Sequence, residues 1–148
     1  MKNQSNEHHY DKNQCRLRCS SYCNRCRLID LQTKSSDSIE KTLKKVDPAT
    51  TKWITFINGD TYQLRHELVH HIKHAKMRGF FTHIITDALF GIFPGRASST
   101  ISSFRNSGLD KITISWRPYH KGMFPFDCVT TIFDESKKAG IPVTFFDA

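Results

Sequence analysis

Three closely spaced cysteines are the residues of this chain best suited to chemistry. Cys19, Cys23 and Cys26 form a C-x3-C-x2-C pattern within eight residues. Cysteine thiolates hold iron–sulfur clusters, and a cluster usually takes four of them. A cluster bound by three cysteines leaves one iron without a protein ligand, and a small molecule can bind and be reduced there. The spacing therefore predicts an iron–sulfur site with one open iron.

A fourth cysteine, Cys15, allows a second interpretation of the same segment. Together with the other three it could close a tetrahedral four-cysteine zinc site in a basic nucleic-acid-binding module. Most zinc modules pair two C-x2-4-C knuckles across a longer span, which this run lacks. Cysteines this crowded also argue against a disulfide framework and for a bound metal. The metal content, iron with sulfide or zinc, separates the two interpretations.

A third pattern is the run HELVH at residues 66–70, which matches the H-E-x-x-H motif of zinc metalloproteases. A helix is predicted here, and its apolar stripe consists of Leu64, Leu68, Ile72 and Ala75. His66, His70 and His74 fall roughly on the opposite side of that helix. They are therefore expected to form a solvent-facing row. A metalloprotease, or adventitious metal binding by His66 and His70, is the alternative.

Alternating strand and helix patterns must position these residues. Short apolar runs predict strands at residues 53–57, 81–86, 111–116 and 141–146. Helices are predicted at residues 38–46, 63–78, 98–106 and 126–138, and Asp37 with Glu40 is expected to cap the first of them. Strands about 30 residues apart with helices between them indicate parallel βαβ units. The predicted fold class is therefore α/β.

The carboxyl ends of parallel strands are where such sheets bind ligands. The segments that follow the predicted strands are Asn58-Gly59-Asp60, Thr86-Asp87 and Ser115-Trp116-Arg117. We expect them to share one rim of the sheet. The cysteine segment precedes the first strand–helix unit and is expected to reach the same rim.

The cysteine spacing and the order of these parts resemble the core of the radical S-adenosylmethionine (SAM) enzymes. That family has a Gly-Gly-Glu-type turn after the strand that follows its cysteine loop, and Asn58-Gly59-Asp60 matches this turn here. The resemblance covers roughly Cys15 to the C-terminus. Two departures stand out: Asp60 is one methylene shorter than the family's glutamate, and Arg25 stands where the family often has an aromatic residue.

The resemblance implies a [4Fe-4S] cluster bound by the cysteine triad, with SAM chelating the open iron. Residues matched to SAM contacts are Arg25 for adenine, Asn58, Gly59 and Asp60 for the amine, Ser115 for the ribose, and Thr86 as a further rim residue. The implied reaction is reductive cleavage of SAM to a 5′-deoxyadenosyl radical, which abstracts hydrogen from an unknown substrate. An electron donor such as flavodoxin or ferredoxin is the implied partner.

The family barrel has six strands, and only about four are predicted here. The expected architecture is therefore a partial TIM-like (βα) barrel over residues 15–148, lacking a strand on each side, as in a truncated and inactive core. Residues 1–14 are polar and without periodicity, so they are expected to be disordered.

The net charge of +8 is spread along the chain, apart from Arg16, Arg18, Arg25 and Arg27 around the cysteines. These arginines are expected either to stabilise a reduced cluster or to be part of a solvated basic surface. Nucleic acid is not the expected partner. The sequence shows no signal peptide and no apolar run of about 20 residues, so a cytoplasmic protein without a membrane partner is predicted.

Overall fold

A computed structural model describes residues 26–30, 35–57, 64–116 and 126–147. Five strands lie within these ranges: β1 Cys26–Asp30, β2 Trp53–Ile57, β3 Phe81–Thr86, β4 Lys111–Trp116 and β5 Val143–Asp147. The helices are α1 Ser36–Lys45, α2 Arg65–Met77, α3 Pro94–Ser107 and α4 Asp127–Lys138, with a 3-10 helix at Leu89–Ile92. The prediction of an α/β protein is confirmed.

The sheet is parallel throughout, and its strands stand side by side in chain order from β1 to β5. Because crossovers between parallel strands are right-handed, stepping always in one direction places the helices on one side of the sheet. The core between the helices and the sheet contains Ile54, Phe56, Ile84, Ile112 and Ile114 from the strands, with Leu68, Ile72, Ile101, Phe104 and Ile132 from the helices.

Strand β1 was not predicted from the sequence. Its five residues, CRLID, mix charged and apolar side chains, so they lack the apolar run that marks the other strands. The strand pairs with β2 over its whole length, from Cys26 opposite Trp53 to Asp30 opposite Ile57. The edge beside β2, which the sequence left without a strand, is therefore occupied by β1.

Helix α1 is capped differently from the prediction. Ser35 is the N-cap, and its hydroxyl accepts a hydrogen bond from the Ser38 amide at 3.2 Å. Ile39 and Leu43 are buried on the inner side of the helix. Glu40, expected to help in capping, instead points toward the histidines of α2.

Polar side chains fix how the helices and strands meet. The Arg78 guanidinium donates to the carbonyl oxygens of Leu43 and Val46, which ties the end of α2 to the end of α1. Asp110 lies just before β4, and its Oδ2 accepts from the Thr82 amide of β3 at 2.8 Å. The same oxygen lies 2.8 Å from Lys76 Nζ. These bonds satisfy backbone groups at positions where the regular ladders begin or end.

Among the described residues, no helix combines the length and the apolar character needed to cross a lipid bilayer.

Candidate functional site

The carboxyl edge of the sheet is formed by the last residues of neighbouring strands. Ile57 of β2 stands beside Ile85 of β3, and Thr86 stands beside Ile114 of β4. The ends of these strands therefore share one edge, as expected for parallel pairing. Asn58, Gly59 and Asp60, which follow Ile57 in the chain, lie outside the described residues, as do Arg117 and His120.

Ser115 has an unpartnered polar group at this edge. Its side chain is buried, with 7% of the residue exposed, and its Oγ has no hydrogen-bond partner among the residues that the structure describes. The flanking residue Ile114 faces the helix core, so alternation along β4 puts Ser115 on the opposite face of the sheet. A buried polar group without a partner costs about 1–3 kcal/mol. A ligand hydroxyl at this edge would recover that cost.

Thr86 lies at the carboxyl end of β3, and its hydroxyl takes part in the turn that follows. Its hydroxyl accepts a hydrogen bond from the Ala88 amide at 3.2 Å, and Asp87 Oδ1 accepts one from the Leu89 amide at 3.0 Å. Between them Ala88 adopts a left-handed conformation with a φ of 71°. The register also places Thr86 beside Ile114, on the helix side of the sheet. Thr86 therefore shapes the turn after β3.

A buried polar row crosses the face of the sheet that carries Ser115. His83 Nδ1 lies 3.2 Å from Thr55 Oγ1, and His83 Nε2 lies 2.7 Å from Thr113 Oγ1. Thr113 Oγ1 in turn lies 2.9 Å from Thr144 Oγ1. The row thus links β2, β3, β4 and β5 through side chains. Thr113 is two residues before Ser115 on the same strand, so the row passes about 7 Å from Ser115 along β4.

His83 is held neutral in this row. Burial lowers its pKa to about 3, and the charge of Lys111 acts in the same direction. With both ring nitrogens engaged, the imidazole is fixed in orientation. His83 was not among the functional residues predicted from the sequence. The available signal in the sequence was a polar residue on the same face of three successive strands: Thr55, His83 and Thr113.

Cys26 lies at the other end of the sheet. It is the first residue of β1 and stands opposite Trp53, the first residue of β2. A strand of this length spans about 13 Å, so the backbone of Cys26 is about that far from the carboxyl edge. The expected position at the carboxyl rim is therefore wrong for Cys26, while its role as a metal ligand stays a prediction. Cys15, Cys19, Cys23 and Arg25 lie outside the described residues.

The predicted row of solvent-facing histidines on α2 is exposed at one end and packed against α1 at the other. Leu68, Ile72 and Ala75 are buried as predicted, and His66 is exposed. His74 was expected to face solvent, but its side chain is 19% exposed and its Nδ1 lies 2.7 Å from Glu40 Oε1. The reason is that α1 packs across this part of α2. The structure therefore associates the C-terminal part of the histidine row with a carboxylate of another helix.

Cys128 is a small buried residue. It lies in α4 and is 2% exposed. Burial raises the pKa of its thiol, and the neighbouring carboxylate of Asp127 raises it further. A thiol that stays protonated is a poor nucleophile and a poor metal ligand.

No protein-family model matches this sequence, and no significant match to a curated protein exists.

Proposed function

We propose that this chain has a radical SAM-type site and binds SAM at the carboxyl edge of its parallel sheet. The observation that carries the proposal is Ser115, a buried hydroxyl at the end of β4 that has no partner within the described part of the chain. The family resemblance gives this position to contact with the SAM ribose. A ribose hydroxyl can both donate to and accept from Ser115 Oγ.

The order of the sheet supports the same proposal. Five parallel strands in chain order, with helices on one side, form the arrangement from which a βα barrel closes. The face opposite the helices then becomes the inside of the barrel, where Ser115 and the His83 row lie. Barrel enzymes bind their ligands at the carboxyl ends of the strands.

The residues of this chain would bind and orient SAM. Ser115 would hold the ribose, Asn58, Gly59 and Asp60 the amine, and the backbone of Arg25 the adenine. The row from Thr55 to Thr144 fixes strands β2 to β5 relative to one another, so the base of the site would not shift when a ligand binds. A [4Fe-4S] cluster, when bound by Cys19, Cys23 and Cys26, would supply the electron for reductive cleavage of SAM.

The position of Cys26 imposes a condition on this proposal. As the first residue of β1, Cys26 does not fit a cluster at the carboxyl edge. However, β1 is at one end of the strand order and pairs only with β2 among the described strands. Ser35, the N-cap of α1, comes nine residues after Cys26, and a released chain of that length spans about 30 Å. Cluster binding therefore requires that β1 be released from β2.

Anaerobic reconstitution with iron and sulfide, followed by electron paramagnetic resonance of the reduced protein, tests the proposal. We expect a cluster signal that changes when SAM is added. Cys23→Ala should abolish the signal, and Cys128→Ala should preserve it, because Cys128 is a buried residue of α4. Ser115→Ala should leave the cluster signal intact and weaken the response to SAM.

Two results would overturn the proposal. One is a chain that binds zinc tightly through Cys15 and the triad and assembles no cluster, which would indicate the four-cysteine zinc module. The other is a cluster signal that SAM does not alter at any concentration, because the open iron is the essential feature of the proposal.

A further inference from the structure

Three histidines of α2 surround one carboxylate of α1. Glu40 Oε2 lies 2.8 Å from His70 Nε2 and 3.2 Å from His71 Nδ1. Its other oxygen, Oε1, lies 2.7 Å from His74 Nδ1. His70 and His74 are one helical turn apart, and His71 lies beside His70 on the side that packs against α1. The four side chains meet where the two helices are in contact.

These contacts do not form a satisfied hydrogen-bond network. Glu40 Oε2, His71 Nδ1 and His74 Nδ1 are buried atoms, and despite their short mutual distances none of them makes a well-aligned hydrogen bond to another described residue. Buried polar groups in proteins nearly always have a partner, so each such group needs an explanation. Donor atoms that converge without bonding one another are what a metal ion would satisfy.

His71 is prepared for metal binding by its surroundings. The ring is fully buried and stacks on Phe56 of β2, with 6.3 Å between ring centroids. Its Nε2 lies 3.3 Å from Ser36 Oγ. With the proton on Nε2, the ring donates to Ser36 and Nδ1 presents its lone pair toward Glu40. A metal-binding histidine is commonly held by such a bond from its second nitrogen.

The electrostatic balance also suits a cation. Burial lowers the pKa of His71 and outweighs the opposing attraction of Glu40. Burial would raise the pKa of Glu40, but the attraction of His74, His70 and His71 lowers it overall. Neutral imidazole and carboxylate are the forms that bind metal.

We propose that Glu40, His70 and His71 bind a divalent transition metal, with zinc as the natural candidate, and that the metal fastens α1 to α2. The ligand atoms of these three residues lie within 4.8 Å of one another. Two imidazole nitrogens and one carboxylate oxygen form a common zinc ligand set, which leaves a fourth position for water. His74 Nδ1 lies 2.7 Å from the other oxygen of the Glu40 carboxylate, and Ser36 Oγ lies 3.3 Å from His71 Nε2, so both residues can help to position a ligand side chain.

This site is distinct from the cysteine segment and from the Ser115 edge. All of its residues come from α1 and α2, and His70 is 63% exposed, so the fourth position opens toward solvent. It also differs from the zinc site that the H-E-x-x-H motif at residues 66–70 would form, because His66 is not a ligand and Glu40 comes from another helix. Its existence therefore does not depend on the proposed SAM chemistry.

Metal titration of the full-length protein, stripped with a chelator, tests this site. Co²⁺ should give visible absorption bands without the near-ultraviolet bands of thiolate coordination, and Zn²⁺ should displace it and raise the melting temperature. His70→Ala and Glu40→Gln should each weaken Zn²⁺ binding at this site by more than about 100-fold. Ser36→Ala and His74→Ala should weaken it by about 10- to 100-fold, as is typical for residues that hold a ligand.

His66→Ala is the matched control, since it removes an exposed histidine of the same helix and should leave binding unchanged. His70→Ala keeps the test valid if Glu40→Gln fails to fold, because the His70 side chain is largely exposed. Three results would overturn the proposal: no Co²⁺ binding apart from thiolate coordination, wild-type Zn²⁺ affinity in both His70→Ala and Glu40→Gln, or an equal loss of affinity in His66→Ala.

Discussion

Replacing His83 should change how the stability of the protein depends on pH. The imidazole is buried, and its pKa in the folded protein is lowered from 6.5 to about 3. In the unfolded chain the same group takes up a proton near its ordinary pKa of 6.5. The unfolded state therefore binds more protons than the folded state between these two values. Stability is lost as the pH falls through this window.

The size of the effect follows from the width of that window. Each pH unit below the unfolded pKa lowers the free energy of unfolding by about 1.4 kcal/mol. From about pH 7 to about pH 5, the loss due to His83 alone comes to about 2 kcal/mol. His71, whose pKa is also lowered, adds to the loss in the same direction. The carboxylate of Glu40 contributes only at lower pH, because its pKa lies below 4.5.

His83→Gln isolates the contribution of this one residue. Glutamine carries a donor and an acceptor but does not titrate, so it can keep at least one bond to Thr55 or Thr113. We expect the variant to be less stable than the wild type near pH 7, by about 1 kcal/mol for one lost hydrogen bond. Near pH 5 the difference should shrink or reverse, because the wild type loses about 2 kcal/mol that the variant keeps.

Urea denaturation at a series of pH values, followed by circular dichroism, measures this difference. His66→Gln serves as the control, because it makes the same replacement at an exposed histidine. If wild type and His83→Gln lose the same free energy between the two pH values, then His83 is not held neutral by burial and the reasoning is wrong.

Four further substitutions have defined consequences. Gly91→Ala should destabilise the protein by about 1–3 kcal/mol in urea denaturation, because a Cβ there would lie 2.3 Å from the Cys128 carbonyl oxygen. Gly95→Ala, where a Cβ meets nothing within 4 Å, should instead be neutral or stabilising, and equal losses would contradict the packing described. Ser115→Ala should not lower the melting temperature, since the hydroxyl it removes has no partner, and a clear decrease would count against an unsatisfied Oγ. Asp110→Asn should cost about 1–3 kcal/mol, because it weakens charge-assisted bonds that join α2, β3 and β4, and an unchanged urea midpoint would rule this out.

The order of strands and helices was predictable because each carries a local signal. The runs WITFI and KITISW are apolar enough to mark strands, and Gly79 and Gly108 mark the ends of helices with the positive φ that glycine tolerates. Strand β1 has no such signal. It exists by pairing with β2, a contact between segments far apart in the chain, and local patterns do not report it.

The contacts of Glu40 and of His83 could not be predicted from the sequence for a similar reason, because they join segments that are far apart in the chain. Glu40 was predicted to be a capping residue because its position near the start of a helix suits that role. Its contacts with His70 and His74 arise only from the packing of α1 on α2. His83 was predicted only to lie in a strand, because its bonds to Thr55 and Thr113 depend on the register of three strands. Residue type and spacing gave the candidates, whereas tertiary contacts decided which of them meet.

Cys26 connects the fold to the proposed chemistry, because it cannot both pair with β2 and bind a cluster at the carboxyl edge. If the proposal is correct, assembling the cluster should raise amide hydrogen exchange in residues 27–30 and in the part of β2 that pairs with them. The row formed by Thr55, His83 and Thr113 should keep β2 joined to β3 and β4, so exchange in β3 and β4 should not change. A cluster that forms while β1 stays fully protected would place the cysteine site at the amino edge, away from Ser115, and would separate cluster binding from SAM binding.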